Sequence, residues 1–156
     1  MNMDMFHKVT RAQAEYARAI DNDRLEQWPD FFADPCLYRV TTANNHAKGY
    51  EAGIIFANSK GMLTDRITAL REANIYERHT YRHIIGAPCL LSQGEEGLRS
   101  ETAFLVVRIM RDGASEVFAT GRYLDLWRAY GDEVKLTERI VVCDSSRVDT
   151  LMALPL

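Results

Sequence analysis

The sequence lacks the short signatures by which a chain carries out redox or phosphate chemistry alone. It has no C-x-x-C pair, no H-E-x-x-H, no EF-hand loop, no G-x-x-x-x-G-K-[ST], no G-x-G-x-x-G and no G-x-S-x-G. Cysteine is scarce: Cys36, Cys89 and Cys143 are far apart and odd in number. They read as reduced, buried, small apolar residues of a cytoplasmic protein rather than a disulfide framework. No stretch approaches the ~20 apolar residues of a membrane span, MNMDMFHKV has no apolar leader core, and there is no N-x-[ST] sequon. The formal net charge is −3, without a basic stripe or a run of one sign. Neither a membrane nor a nucleic acid is therefore expected as a partner, since phosphate binding needs clustered Lys and Arg.

What is present is ordinary globular material. The chain has 156 residues, 47% hydrophobic and 26% charged, which predicts one domain over 1–156. A chain of this size buries roughly 70% of its unfolded surface.

Met5, Val9, Tyr16 and Ile20 recur near helical spacing and predict an amphipathic first helix, stopped at Asp21-Asn22-Asp23. Asp23 and Glu26 form a capping-box pattern, opening a short helix through Leu25 and Trp28 to Pro29. CLYRVTT (36–42) reads as a strand. A longer helix is expected over 59–76, capped by Ser59, with Leu63, Ile67, Leu70 and Asn74 on one face and Met62 and Ala73 alongside.

Four extended segments follow, at 79–92, 98–111, 115–129 and 134–146. Gly94-Glu95-Glu96-Gly97, Asp112-Gly113 and Gly131-Asp132 separate them, and Asp-Gly suits a type I′ hairpin turn. Such long strands must twist and curl, with bends expected at Gly86-Ala87-Pro88 and at Gly121. Helices followed by an antiparallel meander make an α+β arrangement, a curled sheet wrapped as a cone around the helices.

NIYERHTYRHIIG (74–86) carries His79 and His83, which strand periodicity places with Tyr81 on one face, while Arg78, Thr80 and Arg82 share the other. Two histidines alone do not make a stable metal site, and no further ligands are evident nearby. The pattern is better read as hydrogen bonding at a strand end or a subunit contact. Arg108, Arg122, Asp125, Glu138, Arg139 and Asp144 interrupt otherwise apolar strands. Most are expected on the convex face, paired across strands. An inward carboxylate would instead have the raised pKa of a general base. The closing VDTLMALPL places Leu151, Met152, Leu154 and Leu156 where disorder is the default, so they must dock on their own core or be covered by another chain. Order within an interface is expected, with Phe118, Trp127 and Tyr130 adding to the same apolar patch.

DNDRLEQWPDFFADPCLYRV (21–40), MLTDRITALREANIYERHTYRHIIG (62–86) and ERIVVCDSSRVDTLMALPL (138–156) together resemble the small (β) subunit of Rieske-type aromatic-ring-hydroxylating oxygenases. The likeness runs from about residue 14 to the end of the chain. NNHAKGYEAGIIFANSKGMLTDR (44–66) is most similar to the members acting on aromatic carboxylates, terephthalate first and salicylate next. The resemblance implies a nuclear-transport-factor-2-like cone and an α3β3 heterohexamer with the catalytic large subunit. It implies that the Rieske 2Fe-2S cluster and the mononuclear Fe(II) belong to the large subunit, with electrons from NAD(P)H through a reductase. This chain has no C-x-H and no C-x-x-H, so no cofactor, metal or catalytic residue is assigned to it. The implied role is scaffolding, with Arg66, Arg82, His83, Leu151, Met152, Leu154 and Leu156 as interface residues. The rival reading is a stand-alone cone-fold isomerase or dehydratase using an inward Asp/His pair, which would need a deep apolar cavity with convergent titratable groups.

Overall fold

The computed structural model describes residues 3–51, 53–73, 78–147 and 152–156. Helix α1 (Met3–Asp21) buries Met5, Val9, Gln13, Tyr16, Ala19 and Ile20, so the apolar stripe read from the sequence faces the core. A 3₁₀ helix (Leu25–Phe31) follows and buries Leu25, Trp28 and Pro29. The capping box expected there does not form. Arg24 is the cap residue, and Asp23 takes a left-handed φ of 59°. The Asp23 and Glu26 carboxylates instead hold Arg71, at 2.9 Å and 2.7 Å, tying this turn to the next long helix.

Strand β1 (Phe32–Thr42) starts before the expected Cys36, and Asp34-Pro35 in it is a cis peptide. Helix α2 (Ala43–Ala47) and strand β2 (Ile55–Ala57) are short elements without a sequence signal of their own. Helix α3 (Lys60–Glu72) is capped as expected, with Ser59 Oγ accepting from the Met62 amide. It ends earlier than predicted. Leu63 and Ile67 face inward, whereas Met62 is exposed, and the expected Asn74 contact lies outside the described residues.

The second half is the predicted succession of strands. β3 (His79–Ile85) and β4 (Cys89–Gly94) are the first extended segment broken at Gly86-Ala87-Pro88, and both pair with β5 (Gly97–Met110). β6 (Ser115–Tyr130) and β7 (Glu133–Cys143) complete the antiparallel run. The sheet order is β2-β1-β7-β6-β5-β3, with β1 parallel to β7. That parallel pairing closes N-terminal residues onto the last strand and has no local signature.

Two turn expectations change. At Asp112-Gly113 only Gly113 has positive φ, 92°, and its amide donates to the Met110 carbonyl. This is a type I turn closed by a left-handed glycine, because Asp112 satisfies its own carboxylate with the Ala114 amide. Gly121 is a close approach rather than a bulge, since a Cβ there would run into the Val142 carbonyl oxygen. The register shift in the β5–β6 pairing instead falls at Phe118, between the partners of Val106 and Val107.

Candidate subunit interface

Residues predicted to meet another chain converge at one region of the fold, but several of them turn inward. Met152, Leu154 and Leu156 are buried against their own core. The Tyr16 hydroxyl donates to the Leu156 main-chain oxygen at 2.7 Å, and the Tyr38 hydroxyl lies 3.0 Å from that oxygen and 3.1 Å from the Leu156 amide. Trp28 Nε1 in turn donates to the Tyr16 hydroxyl. Burial pushes the Tyr16 and Tyr38 hydroxyls above the ordinary tyrosine value, so both stay protonated. Arg66 Nη2 donates to the Met152 carbonyl at 3.2 Å, and the Tyr81 hydroxyl reaches the Leu154 carbonyl. These contacts fasten residues 152–156 inside the chain, so their side chains do not form an exposed apolar patch. Leu151 lies outside the described residues.

His83 is likewise internal. Its side chain is fully buried, its Nδ1 lies 2.7 Å from Asp21 Oδ1, and its amide donates to Asp21 Oδ2 at 2.9 Å. The last residue of α1 thus covers the free edge of β3. Arg82, its neighbour on the opposite face, is 65% exposed with a guanidinium nitrogen 3.9 Å from Asp21. His79, Tyr81 and His83 do share the inward side, as the strand period predicts. An inward Asp/His pair therefore exists, but it is buried, and His83 Nε2 has no hydrogen-bond partner among the described residues.

The layer over this internal lattice is exposed. Ends of α1 and α3, the start of β3 and the β5–β6 turn enclose an open pocket of about 480 Å³. Ile20, Leu70, Met110 and Leu154 give it apolar walls, while Arg71, Arg78, Arg111 and His79 surround them. Arg78 and Arg111 are exposed. The sequence placed Arg78 with Thr80 and Arg82 on the strand face opposite the histidines and gave no signal for Arg111, because nothing local brings residues 78 and 111 together; the β3–β5 pairing does.

Two strand charges expected outside lie in the interior. Arg139 and Asp125 are both inside rather than on the convex face, joined by Nε–Oδ1 and Nη2–Oδ2 contacts of 2.8 and 2.9 Å. Gln13 Oε1 accepts from Arg139 Nη2 at 2.5 Å, and Gln13 Nε2 donates to Thr102 Oγ1. The guanidinium also stacks near the Tyr123 and Tyr16 rings, 3.8 and 4.4 Å from their centroids. Burial pushes the Asp125 carboxyl above its ordinary value and Arg139 pulls against it. Burial also opposes the charged guanidinium, but Asp125 outweighs that, so Arg139 stays protonated. A carboxylate held in this way is not free to act as a base. Trp127 is buried too, donating to Ser100 Oγ, and Phe118 stacks on Tyr81; of the three aromatics expected in an outer patch only Tyr130 is exposed. The remaining strand charges follow the expected pattern of cross-strand pairing where they are partnered: Arg122 with Glu101, and Arg108 with Glu116.

Comparison with known proteins then decides the family. The description "Ring hydroxylating beta subunit" matches residues 15–150. This chain belongs to the ring-hydroxylating beta-subunit family. The beta 1 subunit of the terminal oxygenase component of terephthalate 1,2-dioxygenase from Comamonas sp is 54% identical over 149 residues, covering 96% of this chain and 97% of that one. The anthranilate 1,2-dioxygenase small subunit from Burkholderia cepacia is 35% identical, covering 99% and 96%. A crystal structure of the beta subunit assigned to an aromatic-ring-hydroxylating dioxygenase from Novosphingobium aromaticivorans superposes with a TM-score of 0.88 at 35% identity, covering 96% and 95%. The fold of this beta subunit is the nuclear-transport-factor-2-like cone.

As a terminal-oxygenase beta subunit, the chain is a partner of an alpha subunit within an oxidoreductase complex. Among the described residues no three His, Cys, Asp or Glu side chains gather as metal ligands. Nor is any helix among them long and apolar enough to cross a membrane.

Proposed function

We propose that this beta subunit is a non-catalytic, architectural component of a cytoplasmic Rieske oxygenase that hydroxylates an aromatic carboxylate, terephthalate-like first and salicylate-like next. In this reading residues 1–156 form one domain. It assembles with the large subunit as α3β3, and the 2Fe-2S cluster and Fe(II) belong to that partner, supplied with electrons from NAD(P)H through a reductase. When bound there, those centres supply the O2 activation.

The observation that carries the reading is the family match over residues 15–150, and the inward Asp125, paired with the buried Arg139, fits it. Tyr16, Trp28, Tyr38, Tyr123, Trp127, Arg139 and Leu156 are all essentially buried around that pair and along the C-terminal segment. The 54% identity to a terephthalate 1,2-dioxygenase beta subunit supports the substrate class. In this reading Leu151 and the exposed Arg82 are contact residues, while Arg66, His83, Met152, Leu154 and Leu156 serve the interface from beneath: Arg66 holds the Met152 carbonyl and His83 is fixed to Asp21.

Co-expression with the neighbouring large-subunit reading frame tests it. The expected result is a stable red-brown complex that oxidises terephthalate, with no turnover by the lone chain. Turnover by the lone chain, together with no association with any Rieske protein, would overturn it.

A further inference from the structure

We propose that the pocket bounded by Ile20, Leu70, Arg78, Met110, Arg111 and Leu154 docks a segment of the large subunit that presents a carboxylate beside an apolar side chain. This rests on the architectural reading above.

The argument is one of charge and depth. The two carboxylates in the pocket wall are already engaged: Asp23 with Arg71 at 2.9 Å, and Asp21 with His83 at 2.7 Å. Arg71 is further held by Glu26. Arg78 and Arg111 have no ion pair of their own among the described residues. Two exposed guanidiniums therefore flank an apolar floor, on a chain whose net charge is −3. A floor of Ile20, Leu70 and Leu154 gains from an apolar side chain laid on it, and guanidiniums at its margin pair with carboxylates bidentately. An apolar centre with a charged rim, anchored by arginine, is the anatomy of a protein interface. A small-molecule site would enclose its ligand and converge buried donors on it. Here both unengaged cations are exposed and the pocket is open.

The floor is also rigidly placed. Leu154 is fixed by the Tyr81 hydroxyl, and its neighbours by Arg66 and Tyr38. The C-terminal lattice thus shapes the docking surface and offers Leu154 to it.

The test is reconstitution from separately purified full-length beta and large subunits, followed by sedimentation equilibrium at low and high salt. The variant is Arg78→Glu with Arg111→Glu. Arg78→Lys with Arg111→Lys is the conservative pair, and Arg11→Glu with Lys135→Glu makes the same charge change in a groove on another side. The expected result is a loss of roughly tenfold or more in affinity for the Glu pair. A smaller loss is expected for the Lys pair and little change for the distant pair, with the beta subunit's own melting curve unchanged by the Glu pair. High salt should weaken the wild-type complex and narrow the gap.

Unaltered assembly of the Glu pair, with the wild-type complex forming, overturns the docking site and leaves the architectural reading intact. Failure of the wild-type beta subunit to assemble overturns both. Saturable binding of terephthalate to the lone beta subunit, lost in the Glu pair while assembly is unaffected, would make the pocket a small-anion site instead.

Discussion

Asp125 and Arg139 stand directly opposite each other in the β6–β7 register and meet through two parallel contacts with neither side chain exposed to solvent. Removing one partner leaves a buried charge without a counter-charge, which costs about 3–5 kcal/mol. Asp125→Ala and Arg139→Ala are each expected to lose that much in urea unfolding. Asp125→Leu with Arg139→Met should lose markedly less than the sum of the two. A double variant as destabilised as the sum would show that the pair is not a coupled unit.

The C-terminal segment is expected to be part of the fold. Deleting 152–156 exposes the sites of Met152, Leu154 and Leu156, at about 1.5–3 kcal/mol per buried side chain. It also strips Tyr16 and Tyr38 of the Leu156 contacts. The sum is comparable with a domain's whole net stability. Circular dichroism of the truncated chain should show loss of cooperative melting; a native-like transition would contradict the docking described.

His83→Ala removes the ring that pairs with Asp21 Oδ1 at 2.7 Å, leaving a carboxylate only 4% exposed. A loss of about 1–3 kcal/mol in the isolated chain is expected. Asp21→Asn in the same background should recover part of it. Equal denaturation midpoints for wild type and His83→Ala would rule the contact out as stabilising.

Thiol reactivity should discriminate the cysteines. Burial pushes the Cys36 thiol up to about 11 and the Cys143 thiol up to about 12, whereas Cys89 is exposed. A thiol reagent at neutral pH should therefore modify Cys89 alone in the native lone subunit, and all three after unfolding. Peptide mapping of the labelled protein reads this out.

Acid should weaken the clamp between the 3₁₀ helix and α3. Hydrogen bonding to Arg71 holds the Glu26 carboxyl below its ordinary 4.5. A depressed carboxylate contributes its stability above that ordinary value and loses it as pH falls through the folded value. Because both side chains are largely exposed, the effect is at most about 1 kcal/mol and falls with salt. Arg71→Ala should reduce the dependence of stability on pH below 4.5. An identical acid limb in both proteins would exclude the clamp as its source.

Much of this was legible locally. The α1 stripe, the Ser59 cap, the break at Gly86-Ala87-Pro88 and the Glu95-Glu96 hairpin all follow from spacing and turn chemistry acting over a few residues. The failures are of another kind. Asp23 and Glu26 look like a capping box because the pattern is local, yet a distant guanidinium, Arg71, offers both carboxylates more than a helix end does. Asp125 and Arg139 look like surface charges because each alone would be costly to bury, and only their meeting across two strands makes burial tolerable.

By itself the sequence determined an α+β chain of helices followed by long curled strands, its family and the absence of its own redox signatures, since these depend on periodicity and extended similarity. Only the tertiary structure decided the parallel closure of β1 on β7, the inward docking of Met152 to Leu156 and the pairing of His83 with Asp21. It alone brought Arg78 and Arg111 to one rim. Each of these is a contact between residues far apart in the chain, and no local propensity encodes which distant group will supply a hydrogen bond or cover an apolar face.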